Sequence, residues 1–255
     1  MQKRITKNQA RGMLIGLAIG DAMGSDGCAW SGFTSQALCM AQALRSANGW
    51  DAEDVMRRLI NWRDFGYMAP NKEAEMSDQT AAALDRFEAD GNPYAGGKED
   101  DGAGSDGLAR IAPAVIAYAA KIESAAAVSQ LQSKLTHASP LCQKMAHQMA
   151  EFMVTGDYIY IPEVDTPPED QTGYVMHTAG GAYWAMRQGF NFSDVLKAAV
   201  SLPGDTRAVG ALTGQLAGRM HGYEGIPIEM RTNLRDHDKI LGIADDLFAM
   251  RPIDV

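Results

Sequence analysis

Between Pro203 and Gly222 a glycine returns at every fourth position, at Gly210, Gly214, Gly218 and Gly222. On a helix this spacing strips one face of its side chains. Each glycine costs about 1 kcal/mol of helix propensity relative to alanine, so a segment carrying such a series needs a compensating contact. A bare face lets a second backbone approach closely, and the stripe is expected to mark a helix buried at the centre of a bundle. A ligand lying against the same face is the alternative use of the space.

The rest of the chain suits such a bundle. Alanine-rich segments with apolar residues three and four apart recur throughout, and alternating runs of β-branched residues are nearly absent, which predicts an all-α fold. Helices are expected over 7–19, 34–47, 51–64, 78–89, 107–121, 123–135, 140–154, 174–188, 192–201, 205–221 and 236–249. Asn48-Gly49 closes one of them and Ser193-Asp194 opens another. The pattern breaks at 72–75, at 90–106 and at 157–171, the last with Pro162, Pro167 and Pro168. A helix resumes at once after each break, so residues 1–255 read as a single compact multi-helix domain.

Composition limits the partners. With 46% hydrophobic and 22% charged residues there is material for a core. Lys and Arg number 23 against 32 Asp and Glu, a net charge of −9, which argues against a nucleic-acid surface. Cys28, Cys39 and Cys142 are odd in number and scattered, and read as reduced thiols of a cytoplasmic protein. The apolar run Met13–Ile19 is broken by Gly16 and followed by Asp21. It is too short to span a membrane, so neither a membrane partner nor export is expected.

Motifs for common chemistries are missing. The sequence has no Gly-x-Ser-x-Gly elbow, no Cys-x-x-Cys pair and no His-Glu-x-x-His helix. Gly102-Ala-Gly-Ser-Asp-Gly107 has the letters of a dinucleotide fingerprint, but it follows Lys98-Glu-Asp-Asp101 where that motif needs a buried strand. What remains is a glycine-rich turn entering a helix. Its free N–H groups suit a phosphate or belong to a plain loop, with Asp106 competing for the same donors.

Several segments in series carry a resemblance. Ala10-Arg-Gly-Met-Leu-Ile-Gly-Leu-Ala-Ile-Gly-Asp-Ala-Met-Gly24, Gly91-Asn-Pro-Tyr-Ala-Gly96, Gly102 to Pro113, Leu135-Thr-His137, Gly173-Tyr-Val-Met-His177 with Trp184, and Asp205 to Ile226 span nearly the whole chain. In this order they resemble the ADP-ribosylglycohydrolase family. The resemblance implies an all-helical hydrolase that cleaves ADP-ribose from modified targets with two magnesium ions. It also implies a ligand cleft drawing on Gly102, Gly104, Ser105, Asp106, Gly107, Arg110, His137, Tyr174 and His177.

The departures from that family fall at the chemistry. Where the family has Trp-Thr-Asp-Asp-Thr, this chain has Trp30-Ser31-Gly32-Phe33-Thr34, and where the family has Asp-x-Asp-Thr it has Asp205-Thr206-Arg207-Ala208. Of the implied metal positions Ser31, Gly32, Phe33, Asp205, Arg207 and Ala208, Asp205 alone keeps a carboxylate and Ser31 offers a hydroxyl. Magnesium needs an octahedral oxygen shell anchored by carboxylates. No cofactor is therefore expected, and magnesium enters only if the chain is an active hydrolase. Phe33 is expected to fill the former metal cavity, and Arg207 to stand as the positive charge opposite Asp205, in a network completed by Asp21 or Asp106.

Two functions follow. The first is a non-catalytic binding or inhibitory protein, which takes ADP-ribose or a related nucleotide in the inherited cleft, or a protein partner on its acidic surface. The alternative is an active or rewired glycohydrolase in which carboxylates such as Asp205 and Asp21, with Asp78 and Asp106, supply acid and base.

Overall fold

A computed structural model describes residues 4–25, 29–98, 103–157 and 170–253. In chain order the helices are α1 (Lys7–Gly24), α2 (Gly32–Ala47), α3 (Ala52–Phe65), α4 (Asp78–Asp90), α5 (Asp106–Ala109), α6 (Ala112–Tyr118) and α7 (Ile122–Lys134). They continue with α8 (Pro140–Thr155), α9 (Val175–Met186), α10 (Phe192–Val200), α11 (Arg207–His221), α12 (Ile228–Asn233) and α13 (His237–Ala249). Among the described residues the only β-pairing consists of isolated bridges, and the fold is all-α as the periodicity predicts.

The partner of the glycine stripe is the first helix. Gly12, Gly16 and Gly20 of α1 face Gly218, Gly214 and Gly210 of α11 in that order, so the two helices run antiparallel. A Cβ on Gly16 would lie 2.1 Å from the Gly214 carbonyl oxygen, and one on Gly214 would lie 1.9 Å from the Gly16 carbonyl oxygen. Gly24 and Thr206 close the row at the end where α1 stops and α11 begins. The same stripe carries α1 past the expected stop at residue 19 to Gly24. Its glycines cost little where the neighbouring backbone comes this close, and Asp21 inside the helix finds partners elsewhere.

One predicted helix is divided. The expected 107–121 segment breaks at Arg110 and Ile111, and Pro113 occupies the first turn of α6, where its missing N–H is tolerated. Gln215 of α11 spans the break, accepting the Ala112 N–H at 2.8 Å and donating to the Ala109 carbonyl at 2.8 Å. Both backbone groups are buried and would otherwise lose hydrogen bonds. The other additions are the short α12 and a 3-10 turn over Tyr223–Gly225.

Cys39 and Cys142 are buried, with Cys142 Sγ donating to the Gly104 carbonyl at 3.3 Å, whereas Cys28 and the prolines at 162, 167 and 168 lie outside the described residues. Among the described residues no helix is long and apolar enough to cross a membrane.

Gly16→Ala or Gly214→Ala is expected to lower stability by about 2 kcal/mol or more, because crowding a rigid backbone outweighs the gain in helix propensity. Gly242 lies on an exposed face of α13 with nothing within 4 Å of an added Cβ. Gly242→Ala is expected to raise stability by up to about 1 kcal/mol. Denaturant midpoints of the three variants measure the contrast.

Candidate functional site

The antiparallel pairing of α1 and α11 brings the end of one and the start of the other to the same pole of the bundle. There α2 begins, and a cleft of about 630 Å³ opens between its first turn, the 74–77 segment, residues 103–106, residues 172–174 and the start of α11.

Asp21 builds the α2 wall. Its buried carboxylate accepts the Ser31 N–H at 3.0 Å, the Thr34 N–H at 2.9 Å and the hydroxyls of Ser31 and Thr34 at 2.5 and 2.6 Å. It thus caps α2 from a different helix. Burial pushes the carboxyl up while these four bonds pull it back. It is absent from the cleft lining, so the expected catalytic candidate Asp21 is a structural cap with its acceptor capacity already used.

Asp106 forms the floor. It accepts the hydroxyls of Thr80 at 2.7 Å and Ser77 at 3.0 Å, and the Gln36 amide at 3.5 Å. Burial opposes its charge, but His137, Thr80, Arg110 and Ser77 together hold the carboxyl below the ordinary range. Asp106 Oδ2 is therefore engaged by the protein, while the residue remains part of the cleft lining.

Arg110 lies behind this floor, 1% exposed. It donates to the Gln132 side chain at 3.0 Å, the Gln132 carbonyl at 2.8 Å, Thr136 Oγ1 at 2.8 Å and Gln36 Oε1 at 2.5 Å. Burial pulls its guanidinium down to about 10. His137 is equally enclosed, between Thr136 Oγ1 at 2.8 Å and Gln79 Oε1 at 3.2 Å, and burial pushes its imidazole towards the neutral form. Both were expected to touch ligand. Neither lines the cleft, because their polar atoms are consumed in bracing it.

The remaining expected ligand residues divide in the same way. Gly104, Ser105 and Tyr174 line the cleft, and Gly104 pairs with Tyr174 in an isolated bridge. Gly104 has no room for a side chain, since a Cβ would meet Gln79 Oε1 and His137 Nε2, each at 2.5 Å. Gly107 instead turns inward against Ser133. His177 is exposed outside the lining, with Nδ1 3.0 Å from Thr172 Oγ1 and its ring edge-on to Tyr174. Gly102 lies outside the described residues.

The positions implied for metal are all present at the cleft, with other occupations. Ser31 Oγ is engaged by Asp21. Gly32 lies so close to the 74–77 segment that a Cβ would be 1.8 Å from the Glu75 carbonyl oxygen. The half-buried ring of Phe33 packs on Ala109, Ala208 and Ala211. Both oxygens of Asp205 are held by Arg207, whose Nε and Nη2 donate at 2.9 and 2.6 Å. Arg207 Nη1 crosses to Glu75 at 2.9 Å. The carboxylate completing the network is thus Glu75, in place of the expected Asp21 or Asp106.

A magnesium pair does not fit this donor set. Gly32, Phe33 and Ala208 offer no side-chain oxygen, and the Asp205 oxygens face a guanidinium. Among the described residues no group of three or more His, Cys, Asp or Glu side chains could hold a metal ion.

A match to the ADP-ribosylglycohydrolase family covers residues 2–155 and 151–253. The ADP-ribosylarginine hydrolase of Serratia proteamaculans is 28% identical over 96% of this chain and 80% of its own length. The corresponding hydrolase of Pseudomonas putida is 27% identical over 96% of this chain and 79% of its own length. A solved ADP-ribosylglycohydrolase-related protein complex contains a chain that superposes with a TM-score of 0.81 at 26% identity, over 97% of this chain and 99% of that one. The match spans nearly the whole chain, and the chain belongs to the ADP-ribosylglycohydrolase family.

Proposed function

We propose that the protein is a non-catalytic member of its family, which binds an ADP-ribosyl group or a related nucleotide in the cleft without magnesium. The observation that carries this reading is the two-pronged grip of Arg207 on Asp205. It places a fixed positive charge on the one carboxylate retained at the positions implied for metal. The relatives named as ADP-ribosylarginine hydrolases support the ligand class, and the cleft volume suits a small organic ligand.

Hydrolysis of a glycosidic bond needs a carboxylic acid and a carboxylate free to exchange protons across it. Asp21 and the Oδ2 atom of Asp106 accept hydrogen bonds from the protein itself, and Asp205 is paired with Arg207. That distribution favours binding over turnover, and over the rewired glycohydrolase.

Calorimetry tests the binding half. ADP-ribose is expected to bind in magnesium-free buffer, with an affinity unchanged when millimolar magnesium is added. Release of ADP-ribose from an ADP-ribosylated arginine peptide is expected to stay at background with magnesium present. Robust turnover by the wild-type protein would overturn the non-catalytic reading.

The ion pair itself has a pH signature. The Arg207 fork, working against partial burial, holds the Asp205 carboxyl below its ordinary range. Its contribution to stability is thus complete above about pH 4 and is lost as the pH falls through the lowered value. The pair is half exposed, so Arg207→Gln is expected to cost under about 1 kcal/mol at neutral pH. This is less than a buried pair would cost. The difference between the two proteins should shrink towards zero in acid, which denaturation measured from pH 7 to pH 2 would reveal.

A further inference from the structure

Four charged side chains line the cleft among the described residues: Glu75, Asp106, Asp205 and Arg207. Asp106 lies on the floor with Oδ2 held by Ser77, Thr80 and Gln36, and buried Arg110 answers its charge through Gln36. At the mouth this leaves two carboxylates around one guanidinium, on a chain of net charge −9. Taken as a sum, the mouth repels a phosphate.

The two carboxylates are not equivalent. Asp205 lies two residues from Arg207 and takes Nε and Nη2 together, which fixes the plane of the guanidinium. Glu75 reaches in from the opposite wall to Nη1 alone, and its side chain is 60% exposed. We infer that Arg207 is the phosphate-reading group of the cleft, and that Glu75 is an internal anion which a diphosphate or phosphate-ester ligand displaces from Nη1. The inference rests on the nucleotide-binding reading above and adds to it the group that recognises the phosphate and the group that competes for it.

The geometry makes the exchange a side-chain event. The Glu75 backbone is wedged against Gly32, so the wall keeps its place while the exposed carboxylate rotates into water. An exposed single-contact pair is weakly held, whereas a guanidinium already oriented by Asp205 meets a phosphate with little further ordering. Arg207 would thus supply the positive charge that the implied metal positions no longer hold.

The test is calorimetry in magnesium-free buffer with ADP-ribose and, separately, inorganic pyrophosphate. The proteins are wild type, Glu75→Gln, Arg207→Gln, the double variant and Glu73→Gln. Glu75→Gln is expected to tighten both ligands by about twofold to fivefold, the equivalent of an exposed ion pair. Arg207→Gln is expected to weaken both by about tenfold or more, as for loss of a charge-assisted hydrogen bond. In the Arg207→Gln background the gain from Glu75→Gln should vanish, since there is no cation left to release.

Glu73→Gln removes the same charge from an exposed site, and a smaller effect there separates displacement from bulk charge. An equal gain from both glutamate variants, or a gain that persists without Arg207, would overturn the inference. Binding by wild type that Glu75→Gln leaves unchanged overturns this inference alone. Absence of binding by wild type and Glu75→Gln alike overturns the nucleotide-binding reading with it. Binding by Glu75→Gln where wild type shows none supports the internal competitor in its strongest form. Glu75→Ala, with the thermal midpoint measured alongside, repeats the comparison if the glutamine disturbs the fold.

Discussion

Direct backbone contact between α1 and α11 is the constraint on which the other helices depend. Carbonyl oxygens of each helix occupy the space where side chains of the other would stand, so the axes are held closer than ordinary ridge-and-groove packing allows. Close approach also permits Cα–H contacts with the facing carbonyls. Helices α2, α5, α6, α9, α10, α12 and α13 pack on one or both members of this pair, and the cleft lies where the pair ends. Asp21 on the last turns of α1 and Asp205 just ahead of α11 are thereby brought to the same pole, although 184 residues separate them in the chain.

Around that pole the protein handles charge in three ways. Asp21 is surrounded by hydroxyl and amide donors. Asp106 is balanced through Gln36 by Arg110, a guanidinium with almost no contact with water. Asp205 stays at the surface in a fork with Arg207. The first two lie inside the protein and are expensive to desolvate, and the hydrogen bonds they accept offset that cost. The third stands at the cleft, where a ligand can reach it.

The sequence was legible where a signal is local. Helix positions followed from spacing, and the glycine stripe announced a neighbouring backbone. Its partner row in α1 was equally visible at Gly12, Gly16, Gly20 and Gly24, but glycines dispersed in an apolar run read as interruptions rather than as a face. The substituted positions at Ser31–Phe33 and Arg207–Ala208 were identified through the resemblance, and they do stand together at the cleft. Orientation was what the sequence did not hold. Nothing in the letters distinguishes an arginine that meets a ligand from Arg110, which braces a wall. Glu75 carried no motif at all, because its partner lies 132 residues away and the pairing is set only by tertiary packing.

Gly32 sets a steric condition on any change at this cleft. A side chain there and the present path of the wall through Glu75 exclude each other in space. A chain that set out to regain a carboxylate at position 32 would meet a steric barrier before it gained any ligand for a metal. Relieving that barrier first would mean rerouting the 74–77 wall, and with it the attachment of Glu75 to Arg207. A side chain at position 32 therefore calls for at least two coordinated changes. The close approach at Gly32 thus couples the residue at that position to the course of the facing wall, so that the two can change only together.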